Sequence, residues 1–494
     1  MDPRRTSSAR WADTWLGLDV GSDIALANAV GREIIAADLV DRQFVARATT
    51  GFEQYRAAVE PYTLERAQTL TGVPAPAIRE LAHAYAGAAR AQLCWTLGIT
   101  EHHTAVDNVL ALINLALLTG HVGRYGSGLV PIRGQNNVQG GGDMGALPNK
   151  LPGFQDVEDA QARAKFEHVW GSSIPARTGW HLSLMFEAMG RGDLRGLYII
   201  GENPAQSEAD SGHAIELLER LDHLVVQDIV LTRTAELAHV VLPAAASWAE
   251  SEGTVTSSER RVQRVRKALA PPGEARDDID ILCDLAARLG QRWSYATTEA
   301  VWDEVRQLSP IHAGMSYARL DAMGGIQWPC RHEQDPGSQF LHGRLWQSPR
   351  EGRPAPFVPV EFVPPVDRLT DEYPIRLTTG RHLDSFNTGV QSSGFASPIR
   401  RGETLDLSAA DAQRLGLADG ERVRVTSRRG SIELPVRFAD ELRPGLAFTT
   451  LHFPDEADTN RLTNSAWDVK SGTAEFKATA IRVDKLQAGP GVPG

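Results

Sequence analysis

Three short apolar runs, and the polar turns that follow them, constrain the fold of this chain most. Leu197-Tyr198-Ile199-Ile200 ends at Gly201-Glu202-Asn203-Pro204. Helical spacing runs from His213 to Leu221, and Leu224-Val225-Val226-Gln227 then ends at Asp228. Thr232-Arg233-Thr234-Ala235 leads to a third run, Val240-Val241-Leu242-Pro243. Strand, polar turn, helix and strand in alternation indicate a parallel, doubly wound sheet. Ligands of such sheets bind beyond the strand carboxyl ends, here Gly201-Glu202-Asn203 and Gln227-Asp228. A similar pattern stands earlier in the chain. Ile24 to Ile35 is helical and follows Gly21-Ser22-Asp23, where Ser22 or Asp23 can cap the helix. A second helix covers about Ala75 to Ala88, a buried strand Gln92 to Leu97, and an interior helix Val106 to Leu118.

Between these two regions lies the stretch Pro131-Ile132-Arg133-Gly134-Gln135-Asn136-Asn137-Val138-Gln139-Gly140-Gly141-Gly142-Asp143-Met144-Gly145. Arginine offers a planar fork that matches a carboxylate. Asn and Gln present a donor and an acceptor on one tip and can read a heterocycle edge. Glycine lets a ligand approach the backbone closely. Such a stretch is either a polar surface loop with turn glycines or the floor of a site for a polar, ring-containing ligand. Its position directly after the apolar run Leu129-Val130-Pro131-Ile132, a strand end, favours the site.

A chain of 494 residues exceeds one compact core. Four regions are expected: an α/β unit over 1–135, a second α/β cofactor-binding unit over 136–247, the rest of the core with a Pro-rich linker over 248–365, and a β-barrel over 366–494. In the last, Ser408-Ala409-Ala410-Asp411 is a capping box opening a helix that stops at Gly416. Arg422 to Val425 and Ser431 to Phe438 are strands joined through Arg429-Gly430. The tail from Gln487 is expected to be disordered. A net charge of −11 argues against general nucleic-acid binding, and no apolar run is long enough to span a membrane. Cys94, Cys283 and Cys330 lie far apart without a CxxC, so they form neither a disulfide scaffold nor an iron–sulfur site. Cys94 and Cys283 sit in apolar runs and read as buried, Cys330 as a loop residue.

These motifs, in this order, resemble the catalytic α subunit of molybdenum- or tungsten-dependent formate dehydrogenases, in the molybdopterin oxidoreductase superfamily. The resemblance rests on Asp2-Pro3-Arg4, Gly21-Ser22-Asp23, Leu118-Thr119-Gly120, Arg133 to Gly140, Asp143-Met144-Gly145 and Gly201 to Pro204. It continues through Gln227-Asp228, Thr232 to Ala235, Thr379-Gly380-Arg381, Asn387-Thr388 and Ala474-Glu475-Phe476-Lys477. It implies doubly wound parallel-sheet domains followed by a C-terminal β-barrel cap of the double-psi type. It also implies two molybdopterin guanine dinucleotides (bis-MGD) on one metal. Gly134, Gln135, Asn136, Asn137 and Gln139 would face a pterin. Gly201, Glu202, Asn203, Gln227, Asp228, Thr232 and Thr234 would face a dinucleotide at the sheet edge, with Asp228 either a solvated carboxylate or an acceptor for guanine. Thr379, Gly380, Arg381, Asn387, Thr388 and Lys477 would close the site from the cap, Arg381 and Lys477 having a solvated surface charge as the competing reading. Arg133 would hold the carboxylate of formate or a similar oxyanion. Nitrate-reducing relatives lack the Arg-Gly-Gln-Asn-Asn combination.

The same resemblance implies a [4Fe–4S] cluster and a metal-ligating Cys or selenocysteine, expected in a segment absent from this sequence. Electron-transfer subunits as partners and a cytoplasmic location are further expectations. A truncated remnant that binds cofactor or a partner without turnover is the rival reading, and a different small oxyanion substrate another. No metal ligand is assigned within the chain. His102 and His103, at a strand end near the expected cofactor edge, read either as approaching the site or, in the favoured reading, as surface side chains. His239 stands where the family usually carries an aspartate.

Overall fold

The computed structural model describes residues 1–382, 385, 387, 388 and 402–486. The expected tail from Gln487 lies outside them. In the first unit, helices α1 (Asp23–Ala36), α2 (Ala75–Gly87) and α3 (Ala105–Thr119) surround a parallel pair, β1 (Gln92–Trp95) and β2 (Gly128–Pro131). Ile24, Val30 and Ile34 of α1 pack with Ile78, Ala82, Leu115 and Leu118 in one apolar core. Ser22 holds the N-cap position of α1 but makes no capping bond, because its hydroxyl donates to the Asp19 carbonyl at 2.6 Å. The first N–H groups of α1 are therefore free of a side-chain cap.

Strand β1 is not buried as expected. Its residues alternate between exposed and half-buried, because it pairs only with β2. Cys94 on this strand is accordingly exposed; Cys283, on the helix Asp278–Arg288, is half-buried, and Cys330 is fully buried beside Met315 and Trp328. Apolar neighbours in sequence do not bury a residue on a strand with an unpaired side.

The Pro-rich stretch packs back on the first unit. Thr49-Thr50 pairs in parallel with Ala355-Pro356. Asn114 holds Val358 at both backbone groups, at 2.8 Å to its carbonyl and 3.0 Å from its N–H. Asn28 donates to the Val360 carbonyl at 2.9 Å.

The second α/β unit has three parallel strands in the order β3 (Gly196–Ile200), β4 (His223–Asp228), β5 (Val240–Pro243), with all carboxyl ends on one edge. Helix α4 (Ser211–Glu219) buries Ala214, Leu217 and Leu218 against Ile199, Leu224 and Val226. His239 brackets Leu224: its Nδ1 accepts the Leu224 N–H at 3.0 Å, and its own N–H bonds the Leu224 carbonyl at 2.8 Å. That is a structural use for the atypical residue. A small antiparallel sheet, β6 (Gly253–Thr256), β7 (Arg261–Val265) and β8 (Ile326–Gln327), follows.

The last unit is a closed barrel. Its strands are β9 (Ile375–Gly380), β10 (Leu405–Leu407), β11 (Arg422–Thr426), β12 (Ser431–Phe438), β13 (Leu446–Thr450) and β14 (Thr479–Lys485), in the spatial order β9-β13-β10-β12-β11-β14. Alternate residues of β11 and β12 point inward, as period-two patterning requires, and Val423, Val425, Leu434 and Val436 meet in the barrel core. Ser408 caps the helix, accepting the Asp411 N–H at 3.1 Å while its hydroxyl donates to the Asp411 carboxylate at 2.8 Å, and Gly416 ends the helix in the left-handed region.

Candidate functional site between the first unit and the barrel cap

A cavity of about 320 Å3 opens where the first α/β unit meets the barrel. Its α/β wall contains Gly21 and Asp23 at the uncapped start of α1, Gly98 after β1, His102, and Gly134 after β2. The barrel contributes Thr379, Gly380, Arg381 and Lys477, and Arg4 reaches in from the start of the chain. Three strand or helix ends and one barrel rim thus converge.

The walls are glycine-lined where side chains would intrude. A Cβ on Gly380 would stand 2.8 Å from Phe448 and 3.4 Å from the Arg4 guanidinium. One on Gly134 would lie 3.3 Å from the Arg381 guanidinium, so the loop after β2 touches the cap there. Arg4 stacks on Phe448 at 3.6 Å from the ring centroid. Arg381 donates to Asn387 Oδ1 at 2.5 Å, and Asn387 holds a left-handed φ of 47°. Lys477 is buried, paired to Glu101 at 2.8 Å and bonded to the Thr379 carbonyl at 3.1 Å. Thr379 is buried with its hydroxyl on the Phe476 carbonyl. Thr388 is buried nearby in sequence.

The loop that carries Arg133 is exposed from Ile132 to Asn136. The Arg133 backbone N–H is fixed by Ser258 Oγ at 3.0 Å, while its guanidinium has no hydrogen-bond or ion-pair partner among the described residues. Gln135 and Asn136 are exposed beside it. Asn137 turns inward: its Oδ1 accepts the Thr256 N–H at 2.9 Å, tying the loop to β6. Gln139 is buried and donates to Asp143 at 2.8 Å, as does the Trp328 indole. Burial pushes the Asp143 carboxyl up to about 6, despite those two donors and the nearby charge of Arg133.

At the carboxyl edge of the second sheet the residues divide in two. Gln227 is fully buried, accepting from Tyr198 and donating to Asp278 at 2.5 Å. Asn203 Oδ1 takes both the N–H and the hydroxyl of Thr234, and Thr232 caps the short helix after it by accepting the Ala235 N–H. Gly201, Glu202 and Asp228 face outward. Gly201 has φ 66° with open space around its missing Cβ. Burial raises the carboxyls of Glu202 and Asp228, and the Asp228 charge adds to the rise at Glu202.

His102 corrects the surface reading. It is 2% exposed and stands 3.0 Å from Glu475, which is itself fully buried. His103 reaches the same carboxylate at 3.2 Å. Lys477 is likewise no surface charge. The signal that could have exposed this cluster was Glu475, an acidic residue beside Phe476 in the Ala474–Lys477 motif, but no local pattern links it to a histidine 373 positions away.

Cationic side chains, an uncapped helix start and bare glycine backbone suit an anionic dinucleotide with a flat polar ring system. The family described as molybdopterin oxidoreductase matches residues 1–288, and the molydopterin dinucleotide binding domain matches residues 375–480. The F420-dependent formate dehydrogenase 2 subunit alpha of Methanococcus maripaludis is 41% identical over 492 residues, covering 98% of this chain and 71% of that protein. Formate dehydrogenase H of Escherichia coli is 38% identical, covering 98% and 68%. The structure of acetylene hydratase from Pelobacter acetylenicus superposes with a TM-score of 0.71 at 21% identity, covering 98% of this chain and 73% of that one, a likeness of fold. The cofactor is molybdopterin guanine dinucleotide carrying molybdenum or tungsten. The chain belongs to the molybdopterin oxidoreductase family, as a formate-dehydrogenase-like catalytic subunit.

Proposed function

We propose that the protein oxidises formate to carbon dioxide, with Arg133 as the anchor for the formate carboxylate. The observation that supports this most is the unpartnered Arg133 guanidinium on a loop whose next residue, Gly134, lines the cofactor cavity. An arginine so placed binds a small carboxylate bidentately and orients its C–H bond. When bound, the metal–pterin group supplies the two-electron redox chemistry. The chain's part is binding, orientation and charge. Lys477, Arg381 and Arg4 would hold the dinucleotide from the cap side. Gly134, Gln135 and Asn136 would contact the pterin, while Asn137 and Gln139 shape the loop from within. Gly201, Glu202 and Asp228 would meet a guanine end at the second sheet, positioned by Asn203, Thr234, Thr232 and Gln227.

In this reading a [4Fe–4S] cluster would supply the electron exit, with partner subunits in the cytoplasm as the acceptors. The dispersed Cys94, Cys283 and Cys330 do not form that cluster among themselves. No helix among the described residues is long and apolar enough to cross a membrane. The test is dye reduction by the cofactor-loaded holoenzyme with a panel of small substrates. Formate should support turnover, and nitrate should not oxidise the reduced dye. Turnover with another oxyanion and none with formate would reject formate as substrate. Cofactor binding without turnover on any substrate would leave the remnant reading.

A further inference from the structure

The charged cluster at one end of the cavity has no role so far. His102 and Glu475 form a buried pair at 3.0 Å, and the His103 N–H donates to the same carboxylate at 3.0 Å. Removing such a pair from water is costly unless each charge is answered. The surrounding groups show how they are answered. Glu101 is paired with Lys477, on the segment that also carries Glu475. Asp23, at the start of α1, faces His102 from the other side, and Arg4 and Arg381 stand across the cavity. With Lys477 engaged by Glu101, a proton on His102 is what answers Glu475. Among the described residues, Nδ1 is the ring atom with a hydrogen-bond partner, and the ring also lines the cavity.

We propose that His102 stands in the cavity as an imidazolium, aimed by Glu475, and donates a hydrogen bond to a phosphate oxygen of the dinucleotide cofactor. Glu475 is then a positioning residue that acts through His102 and joins cofactor binding to closure of the barrel on the first unit. The inference rests on the cofactor assignment, not on formate as substrate.

Electrostatics agrees with the geometry. Burial opposes the charge on His102, but Glu475, by charge and hydrogen bond, and Asp23 outweigh it and raise the imidazole's pKa. Burial likewise opposes the charge on Glu475, yet His102 and His103 hold its carboxyl well below the usual range. A raised histidine pKa means that the contact is complete at low pH and lost as pH climbs through the folded-state value. Cofactor retention should therefore weaken on the alkaline side.

The experiment is an NMR titration of histidine-labelled, cofactor-free chain with inorganic pyrophosphate as the probe. His102 should titrate above the ordinary histidine value of about 6.5 and rise further when pyrophosphate binds. Glu475→Gln should lower that titration and weaken pyrophosphate roughly tenfold near neutrality. His102→Arg should keep pyrophosphate binding at alkaline pH, where the parent has lost it. A purely structural histidine would also titrate high beside Glu475, but it would neither shift when pyrophosphate binds nor make pyrophosphate affinity depend on pH. A His102 that is neutral at pH 7, or pyrophosphate affinity independent of pH, would overturn the proposal. The parent titration stands alone if Glu475→Gln does not fold. Failure of formate turnover with these results intact would count against the substrate reading only.

Discussion

Asp143 shows how a single residue in a ligand-binding motif can serve the fold. It is fully buried between Gln139 and Trp328 and gives the Arg133 loop its backing. Its carboxyl is raised to about 6, so the folded state holds a proton that the unfolded chain releases near 4. Stability should be favoured below about pH 4 and should decline as pH rises toward 6, by at most about 3 kcal/mol. Asp143→Asn removes that ionisation at the expense of one acceptor. The stability of the variant relative to the parent, from urea unfolding at a series of pH values, should therefore improve between about pH 4 and 6. A difference independent of pH would show that Asp143 keeps its charge. At this scale the sequence was only partly legible. Arginine and amides signalled a polar site, but Gln139, Asn137 and Gln227 are satisfied inside the protein. A side-chain amide looks the same whether it reads a ligand or a neighbouring backbone.

Elements were more legible than residues, because their rules are local. The capping box at Ser408 and the stop at Gly416 follow from turn and cap chemistry, and Ser408→Ala should cost about 1 kcal/mol in the unfolding of the barrel. The strands ending at Gly201 and Asp228 and the helix between them follow from periodicity. What failed was burial. Strand β1 is apolar but half exposed, because exposure depends on what pairs beside it. The Pro-rich strap was also invisible as a packed element, since its side-chain partners Asn114 and Asn28 lie 244 and 332 positions away in sequence. Asn114 meets both backbone groups of Val358. Asn114→Leu should leave that buried N–H and carbonyl unanswered and cost roughly 2–4 kcal/mol, measured by urea unfolding. Loss of less than about 0.5 kcal/mol would mean the strap is held without Asn114, by the packing of Phe357 and Val360 and its other backbone ties.

At the scale of the whole molecule, the site exists only because separate units meet. Gly134 comes from the end of β2, Lys477 precedes the last barrel strand, and Arg4 starts the chain, yet all line one cavity. The order of motifs along the sequence was enough to identify the family, whose fold then implied that meeting. The distances, and the buried His102–Glu475 pair, came only from three dimensions. Arg133 stands on the loop next to the cavity-lining Gly134, and its guanidinium has no hydrogen-bond or ion-pair partner among the described residues. The most direct test of the account is steady-state formate kinetics of the holoenzyme with Arg133 and with Arg133→Ala, at matched metal and guanine content. The account predicts that cofactor content is retained while kcat/KM for formate falls by about 100-fold or more. Unchanged kinetics at equal cofactor loading would contradict it.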